Sequence, residues 1–178
     1  RMQSARITRI VRQLLNLARP YNLRFETIEI VDMVKSALEG FENNENLNIE
    51  FAANDDLKIS GDADFLRQVF VNIFQNAQQA MPAGGELKIR IDEERREGKN
   101  FAAVKISDTG AGIAPENLEK IFDPFYTTKD IGQGTGLGLA VSRRIVEEHG
   151  GTIGAVNDKN GGASFTVYLP KSSAAERE

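Results

Sequence analysis

The sequence predicts an α/β fold, one sheet covered by helices on one face, and three observations carry that prediction. Amphipathic helical patterns alternate along the chain with short runs of period-two alternation. A long helical pattern at 62–81 is flanked by strand patterns at 57–60 and 86–92. Two glycine clusters, DTGAGI at 108–113 and GQGTGLGL at 132–139, mark where a strand ends and where a later helix begins.

Taken in order, residues 1–20 repeat Ile7, Ile10, Leu14 and Leu17 at intervals of three and four, a helix that Pro20 ends. Two heptads cannot bury such a face alone, so a partner helix is expected. Residues 24–29 read as a strand, and 30–41 as a helix with Val31, Val34, Leu38 and Phe41 on its apolar side. Strand patterns follow at 47–52 and 57–60. Asp62 is placed to cap the long helix to Met81. Strands are expected at 86–92 and 101–107, with ERREGKN as a charged connection between them. Pro115 suits the first turn of a short helix, and 137–148 is helical again. Two strands, 152–156 and 163–169, close the domain around the turn NDKNGG, and 171–178 reads as a frayed tail.

Composition narrows the function. A chain of 178 residues with 40% apolar and 27% charged residues is one globular domain with room for an appendage. No apolar run approaches the roughly 20 residues that span a bilayer, and the first residues are not a signal peptide, so a cytoplasmic domain without membrane contact is expected. Cysteine is absent, which excludes disulfides, thiolate metal sites and cysteine nucleophiles. A net charge of -4 without a basic stripe argues against nucleic-acid binding. The one histidine, His149, rules out multi-histidine metal sites.

The long helix carries the first chemical signal. At about 100° per residue, Gln68, Asn72, Gln75, Asn76 and Gln79 share one sector, beside a core-facing stripe of Leu66, Val69, Ile73, Ala77 and Ala80. Solvated helix faces usually carry Lys and Glu; this one carries five amides and no charge. Amide oxygens can ligate a hard cation and amide hydrogens can bond phosphate. Magnesium needs few protein ligands when nucleotide phosphates and water supply the rest.

Asp108 ends a strand, and Gly110 and Gly112 free the backbone after it to approach a ligand. A carboxylate there can accept from an exocyclic amino group such as that of adenine; an Asx turn is the plain alternative. The second glycine cluster runs directly into a helix whose first N–H groups can bind an anion. It lacks the spacing of a P-loop and the strand context of a Rossmann loop. FDPFYTTKDI before it adds aromatics, hydroxyls and the cation Lys129, a composition suited to a lid over phosphates.

These motifs closely resemble the catalytic ATP-binding domain of bacterial sensor histidine kinases, in the wider family with gyrase B, Hsp90 and MutL. The resemblance covers residues 24–170 and includes QVFVNIFQNAQQAM, DTGAGI, FDPFYTTK and GTGLGL. FYTTK with a short lid looks like the nitrogen-regulation type. The resemblance implies a two-layer α/β sandwich of one mixed sheet and helices, the Bergerat-type ATP-binding fold, with ATP and magnesium as ligands. It implies that Asn76 ligates the metal, that Asn72 contacts the phosphate side and that Asp108 reads adenine. Gly110 and Gly112 would shape the base pocket. Gly134, Gly136 and Gly138 would line the phosphates, with Thr128, Lys129, Thr135 and Leu137 completing the nucleotide contacts. Residues 1–20 resemble the end of a dimerisation helix. The implied partners are a dimerisation domain bearing the acceptor histidine and a response-regulator receiver domain.

Two departures from that pattern shape the expectation. The phosphoacceptor box is absent, and HGG at a helix end makes His149 a C-terminal turn residue, so a kinase fragment or a kinase acting in trans is expected. Gln79 stands where many sensor kinases carry a basic residue, leaving Lys129 to take that phosphate contact. An anti-sigma-factor-type serine kinase shares the pocket, but FYTTK and the first helix argue against it. Gyrase-like ATPases place a Glu at the position of Asn72 to activate water, a role an amide cannot fill.

Overall fold

The computed structural model describes residues 21–41, 46–53, 57–128, 134–159 and 161–172. The expected helix at 1–20 and the tail end at 173–178 lie outside them. The elements are β1 (Glu26–Glu29), α1 (Ile30–Leu38), β2 (Leu47–Ala53), β3 (Lys58–Gly61), α2 (Ala63–Ala80), β4 (Gly85–Arg96) and β5 (Lys99–Asp108). Two 3-10 turns follow, Pro115–Asn117 and Lys120–Phe122, then α3 (Gly138–Glu148), β6 (Thr152–Asn157) and β7 (Ala163–Pro170).

Five strands form one mixed sheet in the order β2-β4-β5-β7-β6, parallel only between β2 and β4. Strand alternation decides its two faces. Leu87, Ile89, Ile91, Val104, Ile106, Phe165, Val167 and Leu169 are buried under the helices. Lys88, Arg90 and Lys105 point to solvent. The α/β sandwich of the sequence reading is therefore the observed fold. β1 and β3 add a separate antiparallel ribbon, which an Ile59–Lys171 bridge ties to the end of β7.

Two expectations need correction. ERREGKN is not a loop: β4 and β5 pair through Arg96 and Lys99, leaving only Glu97 and Gly98 to turn. Both have positive φ, 50° and 80°, the handedness that two-residue hairpins require. Charge hid this because neither face of the projecting hairpin is buried. Lys171 and Ser172 are also not frayed. Their N–H groups donate to Asn100 O (2.9 Å) and Lys58 O (2.8 Å), and Lys171 Nζ pairs with Glu93 at 2.6 Å.

Where the chain enters, three elements meet on two polar side chains. Asp62 caps α2 by accepting from Phe65 N at 3.3 Å, and its other oxygen accepts from Arg24 N at 2.9 Å. Asp62 N donates to His149 Nε2 at 2.9 Å, and His149 Nδ1 donates to Ile145 O at 2.7 Å. Since Nε2 accepts, Nδ1 must carry the proton, which defines one neutral tautomer. His149 thus caps the end of α3, as the sequence implies, and neither ring nitrogen is available as a nucleophile.

Asp62→Ala should lower unfolding free energy by about 1–2 kcal/mol, the cost of a lost cap. Urea denaturation with an unchanged slope would show it; an unchanged midpoint would remove this joint from the account.

Candidate functional site

A cavity of about 640 Å³ opens between α2, the loop after β5, the two 3-10 turns and the start of α3. One wall is the amide face of α2: Gln68, Asn72, Gln75, Asn76 and Gln79 all line it. The helix can present these groups because its opposite stripe is anchored. Leu66, Val69, Phe70, Ile73 and Phe74 are fully buried.

Asn72 does more than line the wall. Its Nδ2 donates to Gly138 O and to Ser142 Oγ, both at 3.2 Å, so it joins α2 to the first turn of α3. A backbone carbonyl can only accept, so the amide orientation is settled by chemistry. Both hydrogens of that amide are therefore engaged inside the protein, and Asn72 can offer the cavity only its oxygen.

Opposite α2, Gly134, Thr135, Gly136, Gly138 and Thr128 line the cavity. The N-cap residue Leu137 supplies no side-chain cap to α3, and the N–H groups of a helix's first turn have no intrahelical acceptor. Gly136 has φ +64° and an added Cβ would lie 2.7 Å from Phe125 Cα, while Phe125 N donates to Gly136 O at 2.9 Å. Glycine there lets the chain at Phe125 and at Gly136 come into contact. Lys129 and residues 130–133, the centre of the expected lid, lie outside the described residues.

Three expected residues do not line the cavity. Leu137 is fully buried; its N–H donates to Thr135 Oγ1 at 3.3 Å. Gly110 sits against the end of α2, where a Cβ would come within 2.7 Å of Ala80. It is needed for packing, and Gly112 two residues on forms the wall. Asp108 is 3% exposed, and its Oδ1 accepts from Gly110 N (2.9 Å) and Ala163 N (3.3 Å). Burial raises its pKa above the usual carboxylate value; those two hydrogen bonds oppose the rise, and Asp158 adds to it.

The sequence reading missed the apolar part of the wall, Val71, Ile113, Ile121 and Leu139, together with Tyr126 and Asn117. Ile113 was legible as the residue ending DTGAGI. Ile121 and Leu139 are partly buried residues packed against the core, and nothing in the sequence separates them from other such residues. No three His, Asp or Glu side chains among the described residues cluster as a metal cage, so a cation here would rest on amide oxygens and on its ligand.

Residues 61–173 match the family model described as histidine kinase-, DNA gyrase B-, and HSP90-like ATPase. The catalytic domain of histidine kinase ThkA superposes with TM-score 0.70 at 36% identity, covering 83% of this chain and 96% of that one. The chain belongs to this ATPase family. Within it the chain is a catalytic ATPase domain of the histidine kinase type. The sensor histidine kinase ZraS of Escherichia coli K12 is 38% identical over 174 residues, covering 94% of this chain. This chain spans 36% of the length of that relative. A further ThkA structure, in complex with the response regulator protein TrrA, matches at TM-score 0.75 and 31% identity, covering 96% of this chain and 48% of that one. No helix among the described residues is long and apolar enough to cross a membrane.

Because burial favours the protonated form of Asp108, its stabilising contribution is present below the unfolded-state carboxylate range and is lost as pH rises through the raised folded value. Asp108→Asn keeps an oxygen for Gly110 N and Ala163 N and removes the buried charge. The variant should therefore melt no lower than the parent near pH 7, with any gain vanishing by about pH 3, below both pKa values. A melting temperature well below the parent at neutral pH would show that the ionised carboxylate holds the fold.

Proposed function

We propose that this domain binds ATP with magnesium and delivers the γ-phosphoryl group to a histidine on a dimerisation domain, within a two-component sensor kinase. The observation that carries the reading is the pairing of an uncharged amide wall with an uncapped helix start across one cavity. The amides suit a cation and its hydration shell, and the α3 amides suit phosphate oxygens.

In this reading Asn76 holds the metal through its amide oxygen, and Asn72 adds an acceptor one turn earlier. A bound magnesium would neutralise charge on the transferring phosphoryl group. Gly134, Gly136 and Gly138 let backbone approach the phosphates, with Thr128 and Thr135 lining the same cavity, and Lys129, outside the described residues, is proposed as a further phosphate contact. Asp108 accepts from the adenine amino group, and the Gly112–Ile113 wall packs the base. Residues 1–20 supply the end of the dimerisation helix, and a receiver domain takes the phosphoryl group afterwards. Catalysis is then positioning and charge neutralisation, with no covalent intermediate on this chain. Having no carboxylate at position 72, the α2 wall offers no base to activate water, which protects ATP until the acceptor arrives.

The test mixes this chain, labelled Mg-ATP and a separately made dimerisation domain containing the acceptor histidine. Acid-labile phosphate should appear on that domain and none on this chain. Label on His149, or none on either partner while ATP remains bound, contradicts the reading. Asn76→Ala should bind ATP equally with magnesium and with EDTA, whereas the parent should bind far better with magnesium. Parent-like enhancement by magnesium in Asn76→Ala would remove Asn76 as the ligand.

A further inference from the structure

Asn157, the last residue of β6, reaches across to a loop 44 positions away in sequence. Its Oδ1 accepts from Ile113 N at 2.8 Å and its Nδ2 donates to Ile113 O at 2.6 Å. One side-chain amide thus satisfies both backbone groups of a single residue, as a neighbouring strand would. Only an amide of this length presents a donor and an acceptor side by side in that way. The partners also define its orientation, since Ile113 N–H must donate and Ile113 C=O must accept.

An Asn at a strand end ordinarily serves its own turn. Here the turn between β6 and β7 closes without it, through Asp158 N to Gly162 O and Gly161 N to Asp158 O, both at 3.1 Å. The side chain is used instead on the loop that walls the cavity. Gly112 and Ile113 line that cavity, whereas Asn157 does not. A Cβ at Gly112 would lie 3.1 Å from Asn157 Oδ1, so amide and loop are in direct contact. The other end of the same loop is held by the same hairpin, because Ala163 N donates to Asp108 Oδ1.

We infer that Asn157 is a positioning residue for nucleobase recognition: it fixes the Gly112–Ile113 backbone at the spacing from Asp108 that an adenine ring requires. The inference rests on the nucleotide reading above and adds a residue that touches no ligand. With Asn157 in place, the loop is preordered and its ordering cost is absent from the binding step. Without it, the loop end is tethered only through the chain, and the base contacts loosen while the phosphate end, built on α2 and α3, is undisturbed.

The experiment compares the parent chain with Asn157→Ala and Asn157→Asp by titration with Mg-ATP, Mg-ADP and Mg-GTP, alongside amide exchange and melting. Asn157→Ala should weaken ATP and ADP by the same factor, about three- to tenfold for a lost neutral hydrogen bond and its ordering. The ATP-to-GTP preference should fall. Exchange at Ile113 should accelerate, exchange at Val104 in β5 should not, and the melting temperature should stay within a few degrees. Asn157→Asp, matched in size but able only to accept, should fall between the two. ATP affinity and base preference unchanged in the alanine variant would overturn the inference. So would a large fall in melting temperature with faster exchange at Val104, which would make Asn157 a residue of the fold. A parent chain that binds no ATP would instead sink the nucleotide reading itself, and this inference with it.

Discussion

The cavity depends on one helix holding two incompatible faces in place. α2 presents five amides to an open pocket, which by itself would favour a mobile, solvated helix. What prevents that is the opposite stripe, where Leu66, Val69, Phe70, Ile73 and Phe74 are fully buried between the sheet and α1. Each such side chain contributes roughly 1.5–3 kcal/mol, so the stripe far outweighs what a polar face could do to shift the helix. Phe41 meets Phe74 edge-on at 5.7 Å, closing the core at the end of α1. The amides are presented rigidly because the core does not yield.

The other side of the pocket is then referred to α2 by hydrogen bonds. Asn72 ties the first turn of α3 to it at Gly138 and Ser142, and His149 ties the last turn of α3 to Asp62 at the start of α2. α3 is therefore held at both its ends by polar side chains, against the start and the middle of α2. The joint at Asp62 also takes Arg24 N, so the chain entering the domain is fastened to the same frame.

Much of this was legible in the sequence, and the reasons are physical. The amide sector of α2 follows from helical geometry alone, and all five amides share a wall in the structure. The Asp62 cap and the Pro115 turn follow from local backbone chemistry. What was not legible depends on long-range pairing. β4 and β5 continue through ERREGKN because a tight two-residue turn lets charged strands pair beyond the sheet's covered face, and burial patterns are silent there. Leu137 sits among glycines in a phosphate-type motif, yet it is fully buried. Asn157 reads as a turn residue, and only the fold brings it to Ile113. Asn72 lines the cavity, but which of its atoms is available depends on the carbonyl of Gly138, 66 positions away.

The most direct test of the account is a crystal structure of this chain with manganese and a non-hydrolysable ATP analogue, the metal located by its anomalous signal. The account predicts the metal bonded to Asn76 Oδ1 at roughly 2.1–2.2 Å, the oxygen-ligand distance of a small hard cation. It also predicts phosphates against the start of α3 and the base beside Gly112 and Ile113. A metal held without Asn76, or a nucleotide seated on the outer face of the sheet, would contradict it.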